Sequence, residues 1–276
     1  MPVALSHAQV ESYHANGFLF PLPVFADDEV KNLRAKFEAL AAREGGSLSR
    51  STNTRSHLLL KWIDDIIRDP RVLDPVQDVI GPNIFCWASG FFSKRPNDGS
   101  FISWHQDATY WGLSSNDVVT AWIALSPSTP ESGCLRVVPG THKAQVAHRD
   151  TFGEKNLLSR GQEIAVDVEE DKIVDVTLRP GEMSLHHVLI FHGSNPNVAA
   201  DSRIGLAVRY IPTHLKQLAP MKDTAMLVRG VDEFGHFEHE QRPEADFAPS
   251  AIRYHQEVQK RLNDITNLGS QKGKGM

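Results

Sequence analysis

The sequence predicts a mainly β fold with flanking α-helices, either an antiparallel sandwich or a jelly roll. Between residues 84 and 212, about eight short segments rich in β-branched and aromatic residues alternate with turn residues. Few helical patterns interrupt this region, which argues against alternating strand–helix units. Before residue 82, and again after residue 250, apolar residues recur at helical spacing.

Composition limits the function classes that fit the chain. Its 276 residues are 41% hydrophobic and 23% charged, as in an ordinary globular protein. A formal net charge of -5 argues against nucleic acid as the main partner, and no apolar run approaches the ~20 residues that span a membrane. The start lacks a basic segment followed by an apolar one, so we expect no signal peptide. Only Cys86 and Cys134 occur, which favours small buried thiols and a cytoplasmic location.

We expect a single domain, residues 1–276, with a helical part to about 82, a β core at about 83–215, and a C-terminal helix and tail at 216–276. In the helical part, Ser6 and Gln9 form a capping-box pattern for a short first helix. A second amphipathic helix begins at about 27, and a third covers about 72–80. Residues 47–57 are polar and predict a solvent-exposed loop, with a lid over the substrate as the alternative.

The predicted strands follow the apolar segments between turn signals such as Pro139-Gly140 and Pro180-Gly181. They are residues 84–94, 101–105, 118–125, 134–138, 163–168, 173–178, 183–192 and 203–212. Residues 143–162 predict an insertion over the mouth of the β core. An amphipathic helix is expected after Ser250, and the tail from Gln271 to Met276 is expected to be disordered.

His105 and Asp107 form the centre of the functional prediction. They are one residue apart at the end of a predicted strand, so both side chains point to the same face. An imidazole and a carboxylate side by side suit a divalent metal. A second, distant histidine would complete the triad that leaves open positions on ferrous iron.

His192 is the expected third ligand, because it lies where a strand meets the turn Gly193–Pro196. His186 has the same facing parity along the predicted strand 183–192, and His187 the opposite one. Each of these two could be a ligand or a packed core histidine. Most of the 13 histidines must have structural or surface roles.

Arg203 is the expected anchor for an acidic cosubstrate. It begins the strand that follows His192, and a guanidinium binds a carboxylate through two parallel hydrogen bonds. A hairpin from His192 to Arg203 would place this cation about one small diacid from the metal. Ser194 could donate a hydrogen bond to the same carboxylate, and Trp122 could form a wall of the pocket. A surface ion pair with Asp201 is the alternative for Arg203.

Taken together, the motifs resemble the phytanoyl-CoA dioxygenase family of non-haem iron, 2-oxoglutarate-dependent oxygenases, over roughly residues 10–215. The matching residues are Trp104-His105-Gln106-Asp107, Ser132-Gly133-Cys134-Leu135, Val138-Pro139-Gly140-Thr141-His142, His192-Gly193-Ser194 and, eleven residues after His192, Arg203.

The resemblance implies a double-stranded β-helix, the cupin-like form of the jelly roll, that uses Fe(II), 2-oxoglutarate and O2. Its site residues would be His105, Asp107 and His192 on iron, with Arg203, Ser194 and Trp122 near 2-oxoglutarate. Related halogenases have a small residue in place of Asp107, so its presence favours hydroxylation. The longer segment from Trp104 to Leu113 also resembles a bacterial subgroup that includes 2-aminoethylphosphonate dioxygenase.

The substrate prediction is a small polar metabolite, with an aminoalkylphosphonate as the leading candidate. Arg209 shares the facing parity of Arg203 and could hold an anionic group, although a buried pair with an acidic neighbour is an alternative. Tyr110 and Trp111 could line the substrate cavity or pack in the core. Competing hypotheses are a hydroxylase of acyl-CoA or another natural product, a non-catalytic jelly-roll binding protein, and a hydrolytic zinc enzyme.

Overall fold

The computed structural model describes residues 2–158 and 160–272, apart from the side chains of Tyr110 and residues 266–272. Most of the tail predicted to be disordered, residues 273–276, therefore lies outside the described residues. Every helix in the described ranges is too short or too polar to cross a lipid bilayer.

Helices form most of the first 82 residues, as predicted. The first begins at Ser6, whose hydroxyl accepts from the backbone N–H of Gln9 while the Gln9 side chain accepts from the N–H of Ser6. It ends at Gly17 in the left-handed region (φ +84°), which glycine adopts without strain. The helices are α1 (His7–Asn16), α2 (Asp27–Arg43), α3 (Arg50–Asn53), α4 (Lys61–Ile66) and α5 (Pro70–Ile80).

The strands of the described residues form two principal sheets and one hairpin. They are β1 (Phe18–Pro23), β2 (Ile84–Lys94), β3 (Ile102–His105), β4 (Val119–Ala124), β5 (Leu135–Val138), β6 (His148–Asp150), β7 (Gln162–Ile164), β8 (Val174–Val176), β9 (Glu182–His187), β10 (Phe191–Ser194), β11 (Arg203–Pro212), β12 (Thr224–Arg229) and β13 (Glu238–His239). A last helix, α6 (Pro249–Lys272), follows them.

The two sheets form a jelly roll, which confirms the predicted fold class. One sheet has the order β1-β9-β4-β11-β2-β12-β13, and the other has the order β3-β10-β5-β8. Apolar residues on the outer face of the larger sheet, such as Leu206 and Val208, join the helices in the main core. The intervening residues of the same strand, including Arg203 and Ala207, face the smaller sheet. The site therefore lies between the sheets.

One predicted strand is wrong, and one strand of the structure was missed. Residues 183–192 do not form one strand, because the chain turns at 188–190 and β9 and β10 lie in different sheets. A continuous apolar run does not reveal such a corner, since both strands are buried. β1, which pairs with β9, was not predicted.

The prediction of a solvent-exposed loop at 47–57 is also wrong. The segment contains α3 and buries Thr52, Arg55 and His57. Their polar groups are paired inside the protein: Arg55 binds Asp223 and Glu240, and the backbone oxygen of Thr54 accepts from His255 of α6. Polar composition predicted solvation here, but tertiary partners supply the hydrogen bonds that water would otherwise provide.

Candidate active site

A cavity of about 290 Å³ lies between the two sheets. The structure brings most of the predicted site residues to its wall: His105, Asp107, Trp111, Trp122, His192, Ser194, Arg203 and Arg209. The side chain of Tyr110 is outside the described residues, so its predicted place in the substrate cavity stays a prediction.

Three potential metal ligands meet at the smaller sheet. His105 ends β3 directly opposite His192 of the antiparallel neighbour β10. Gln106 is extended and Asp107 begins a 3-10 turn, so the carboxylate returns to the face of His105. One donor atom from each of His105, Asp107 and His192 lies within 4.8 Å of the others.

Backbone carbonyls fix which nitrogen of each imidazole faces this centre. Nδ1 of His105 donates to the backbone oxygen of Ser103 at 2.9 Å, and Nδ1 of His192 donates to that of Ile190 at 3.0 Å. Both Nε2 atoms then face the Asp107 carboxylate, at 3.3 and 4.0 Å. Such outer hydrogen bonds orient metal-binding histidines and set their tautomer.

Burial and local charge also shift the pKa values of two of the candidate ligands, His192 and Asp107. Burial holds the pKa of His192 well below its ordinary value, so the ring is neutral and carries a free lone pair. Burial alone would raise the pKa of Asp107, but its contacts with His105 and His192 and the nearby Arg209 guanidinium hold that pKa well below its usual range. Two imidazoles and one carboxylate match the donor types of a facial triad for Fe(II).

The other two histidines of this region lie apart from the donor set. His186 borders the cavity, with its ring 5.2 Å from that of His192, and burial lowers its pKa to about 4. His187 faces away, with its ring 5.1 Å from His142. His186 and His187 are neighbours on β9, so they face opposite sides of the strand, as the sequence predicted.

Arg203 lies across the cavity from the metal ligands, at the start of β11. Its side chain is buried, and Nε and one terminal nitrogen have no hydrogen-bond partner among the described residues. The guanidinium lies 5.2 Å from the ring of Trp122, and burial lowers its pKa to about 10. A buried guanidinium without an anion is costly, so this residue is suited to an incoming carboxylate.

The predicted hairpin between His192 and Arg203 is wrong. β10 and β11 do not pair, since each belongs to a different sheet. Residues 195–202 carry the chain across the cavity, and Arg203 reaches the site from the facing sheet. The two residues are therefore opposed rather than adjacent, and a diacid between them would span the cavity.

Comparisons with known proteins agree with this geometry. The family model described as phytanoyl-CoA dioxygenase (PhyH) matches residues 13–205. The chain belongs to this family. The human peroxisomal phytanoyl-CoA dioxygenase is 27% identical over 233 residues, covering 75% of this chain and 68% of that protein. The probable alpha-ketoglutarate-dependent hypophosphite dioxygenase of Stutzerimonas stutzeri is 32% identical over 158 residues, covering 56% and 54%.

A solved structure supports the same relationship. The non-heme monooxygenase ThoJ, in its apo form, superposes with a TM-score of 0.85 and 32% identity, covering 96% of this chain and 99% of that one. Membership of the phytanoyl-CoA dioxygenase family confirms the predicted enzyme class, an Fe(II)- and 2-oxoglutarate-dependent dioxygenase.

Arg209 is a second cation of the cavity in this family member. Its guanidinium lies 5.3 Å from the ring of Phe92 and 5.8 Å from that of Trp111. No carboxylate among the described residues lies within ion-pair distance, so the predicted alternative of an acidic partner does not hold there. Trp111 both lines the cavity and packs against Trp87.

Sequence reasoning missed several residues that build the site. Lys94 ends β2 beneath Ser194, Arg50 of α3 reaches the cavity wall, and Gln106 is fully buried. The Gln106 side chain donates to the backbone oxygen of Leu189 and accepts from the N–H of Val146. It therefore ties the metal-binding strand to the insertion 143–162, and its position inside the His-x-Asp motif was the available signal.

Residues of the predicted insertion line the cavity, and a glycine shapes another part of its wall. Leu157, Leu158 and Gln162 of the insertion line the cavity. On β11, a methyl group at Gly205 would overlap the indole ring of Trp122. Glycine at this position therefore allows the ring to lie against the strand beside Arg203.

Proposed function

We propose that this protein hydroxylates a small anionic metabolite, with His105, Asp107 and His192 as the iron ligands and Arg203 as the anchor of 2-oxoglutarate. The uncompensated guanidinium of Arg203, in the same cavity as the three donor groups, carries this proposal. A structural arginine would have its own carboxylate partner, whereas a binding arginine is completed by its ligand.

Each residue has a defined task in this scheme. Bound iron, together with O2 and 2-oxoglutarate, supplies the oxidising chemistry. Arg203 binds the far carboxylate of 2-oxoglutarate through its forked N–H groups, Ser194 donates to the same carboxylate, and Trp122 forms a wall beside it. Asp107 occupies the position that must be small to admit a halide, which favours hydroxylation. The buried walls exclude water from the reacting groups.

The cavity supports a small substrate with a negative charge. At about 290 Å³ it lies at the lower end of the range for small-molecule sites, and it must also hold 2-oxoglutarate. Arg209 offers a second guanidinium with no carboxylate within ion-pair distance among the described residues, and Arg50 lies at the wall. An aminoalkylphosphonate remains the leading candidate. The relative named for hypophosphite, another phosphorus oxyanion, supports this choice.

The competing functions fit the cavity less well. A long acyl chain requires an apolar groove, whereas three arginines line this cavity. A hydrolytic zinc enzyme requires a general base beside the metal, but Asp107 is the only carboxylate among the described lining residues. A non-catalytic binding protein would have no need for a complete donor set facing an unpaired arginine.

We further propose that the protein functions in a reducing compartment such as the cytoplasm. Cys86 and Cys134 are both free thiols in the structure, and both are buried. Proteins of oxidising compartments use their cysteines in disulfides far more often.

The decisive experiment is an anaerobic titration of the Fe(II) protein with 2-oxoglutarate, followed by a substrate screen. A visible charge-transfer band should develop with 2-oxoglutarate and be absent in Arg203→Met at the same concentrations. Small amino acids, betaines, phosphonates and acyl thioesters are then tested for substrate-dependent succinate release. We expect release with a phosphonate; release with acyl thioesters alone would overturn the substrate class, and absence of the band would overturn the site assignment.

A further inference from the structure

Lys94, the last residue of β2, is a fully buried amine beside the cosubstrate end of the cavity. Its Nζ contacts the hydroxyl oxygen of Ser194 at 2.5 Å and the backbone oxygens of Asn195 and Gly133 at 2.5 and 3.3 Å. No carboxylate among the described residues lies within ion-pair distance of Nζ. Burial of such a group without an anion is unfavourable, and it requires an explanation.

Arg203 makes the local imbalance of charge larger. Lys94 and Arg203 are directly opposite each other on the neighbouring strands β2 and β11, and no carboxylate among the described residues pairs with either. The other titratable groups that influence Lys94 are the thiol of Cys134 and the more distant carboxylate of Asp98. Two unneutralised basic side chains therefore converge where we propose that the far carboxylate of 2-oxoglutarate binds.

We propose that Lys94 is a positioning residue for 2-oxoglutarate. It holds the Ser194 hydroxyl in the orientation in which this hydroxyl donates to the cosubstrate. The inference rests on the proposed function, because it assumes that Arg203 binds the far carboxylate. A charged ammonium has three N–H donors and no acceptor. The three oxygens around Nζ use all of these donors, so Ser194 must accept from Lys94. The hydroxyl hydrogen of Ser194 is then available to the carboxylate.

The neutral amine would reverse this hydrogen bond. It has two N–H donors, which the backbone oxygens of Gly133 and Asn195 can accept, and a lone pair that can accept from Ser194. The hydroxyl hydrogen would then point at Lys94 and away from the cosubstrate. Lys94 thus controls the direction of a single hydrogen bond, without touching 2-oxoglutarate itself.

Electrostatics link this orientation to cosubstrate binding. Burial, followed by the charge of Arg203, lowers the pKa of Lys94 to about 6 in the absence of ligand. Because only the charged ammonium leaves the Ser194 hydroxyl free to donate to the carboxylate, binding of that carboxylate favours the charged form of Lys94. Binding of 2-oxoglutarate should therefore take up a proton, and its affinity should fall as the pH rises above about 6.

Calorimetric titration of 2-oxoglutarate into the Mn(II)-loaded protein tests the inference without turnover. Titrations at pH 6 to 9, each in two buffers of different ionisation enthalpy, report affinity and proton uptake together. We expect the wild type to take up close to one proton near pH 7.5. Lys94→Met should weaken binding roughly 10-fold or more and remove both the proton uptake and most of the pH dependence.

Ser194→Ala separates positioning from simple charge. If Lys94 acts through Ser194, Lys94→Met should cost much less affinity in the Ser194→Ala background than in the wild type. Lys172→Met, at an exposed lysine paired with Glu169, is the matched control and should bind like the wild type. Thermal unfolding establishes that each variant is folded. Should Lys94→Met not fold, Ser194→Ala alone is decisive, because it must reduce the proton uptake of the wild type.

Three results have distinct meanings. If Lys94→Met binds 2-oxoglutarate with the affinity and pH dependence of the wild type, or if Ser194→Ala leaves proton uptake unchanged, the inference is wrong while the proposed function stands. If the effects of Lys94→Met and Ser194→Ala simply add, Lys94 does not act through Ser194. If the wild type itself fails to bind 2-oxoglutarate, the proposed function fails and the inference with it.

Discussion

Two buried arginines of this protein have opposite surroundings. Arg55 and Arg203 are each only 2% exposed. Arg55 forms ion pairs with Asp223 and Glu240, which raise its pKa although burial alone would lower it. Arg203 has no such partner in the described part of the chain, and burial lowers its pKa to about 10. The first cation is neutralised by the protein, and the second is available to a ligand.

The same contrast extends to the neighbouring side chains. Around Arg55, both nitrogens of His57 are bonded, to Ser89 and Glu240, and the indole N–H of Trp87 donates to Asp223. Around Arg203, no carboxylate among the described residues balances the charge, and two nitrogens of its guanidinium have no hydrogen-bond partner there. A fully satisfied buried network stabilises the fold, whereas an unsatisfied one indicates a binding site. Substitutions in the two regions should therefore affect different measurements.

The largest expected effect is on folding. Arg55→Met leaves Asp223 and Glu240 buried without their cation, and it should lower the free energy of unfolding by about 3–5 kcal/mol. Denaturant titration of the metal-free protein measures this change. Arg203→Met is the matched control and should not lower the stability. Equal losses in the two variants would remove the distinction between the two arginines.

Asp107→Ala should abolish catalysis while leaving the fold intact. Substitution of groups that merely orient metal ligands costs about 10–100-fold in affinity or activity, so loss of a ligand should cost roughly 100-fold or more. The measurement is substrate-dependent succinate formation together with the iron content of the protein. Asp223→Ala removes a buried carboxylate that pairs with Arg55. It should instead lower the free energy of unfolding. Wild-type succinate formation in Asp107→Ala would disprove the ligand assignment.

Arg203→Met should reduce the affinity for 2-oxoglutarate by roughly 10- to 100-fold, because it removes a charge-assisted pair of hydrogen bonds. Arg203→Lys keeps the charge but not the fork, and it should recover only part of the affinity. Binding to the Mn(II)-loaded protein is the appropriate measurement. If Arg203→Met binds as tightly as the wild type, the anchor lies elsewhere.

Arg209→Met should raise the KM for an anionic substrate roughly 10-fold, since one charged hydrogen bond is lost. Its affinity for 2-oxoglutarate should remain that of the wild type, which distinguishes it from Arg203→Met. Steady-state kinetics at saturating 2-oxoglutarate provide the test. If Arg209→Met changed only the affinity for 2-oxoglutarate, Arg203 and Arg209 would both bind the cosubstrate.

A final expected effect is a dependence of stability on pH. Lys94 has a pKa of about 6 in the folded protein and an ordinary value of 10.5 when unfolded. Between these values the unfolded chain binds the extra proton, so the stability should rise with pH by at most about 1.4 kcal/mol per unit. Denaturant titrations at pH 7 and 9 measure the slope, which should shrink in Lys94→Met. An unchanged slope would show that Lys94 is charged in both states.

Most of the metal-binding part of the site could be predicted from the sequence. His105 and Asp107 adjoin one strand, and His192 precedes an obvious turn, so local patterns marked all three positions. β2 and β11 were predicted with the bounds that the structure shows, because turn residues flank both apolar runs. Short-range signals sufficed wherever the chain itself delimits an element.

The features that could not be predicted from the sequence depend on the pairing of distant strands. The corner between β9 and β10 follows from the exchange of the chain between two sheets, and it has no local marker. Lys94 gains its role only because β2 lies beside β11 and Ser194 reaches it from the other sheet. The burial of Arg55 and His57 likewise depends on carboxylates more than 160 residues later in the chain.

Gly205 has a consequence for how this cavity could diversify. Because Gly205 has no side chain, the indole of Trp122 can pack against the strand, and this contact limits the volume available to reactants. Any larger residue at 205 would overlap the indole and force it to move. Access to bulkier or smaller reactants should therefore evolve by changes on the opposite wall and in the covering insertion, while this glycine and its aromatic neighbour change together or not at all.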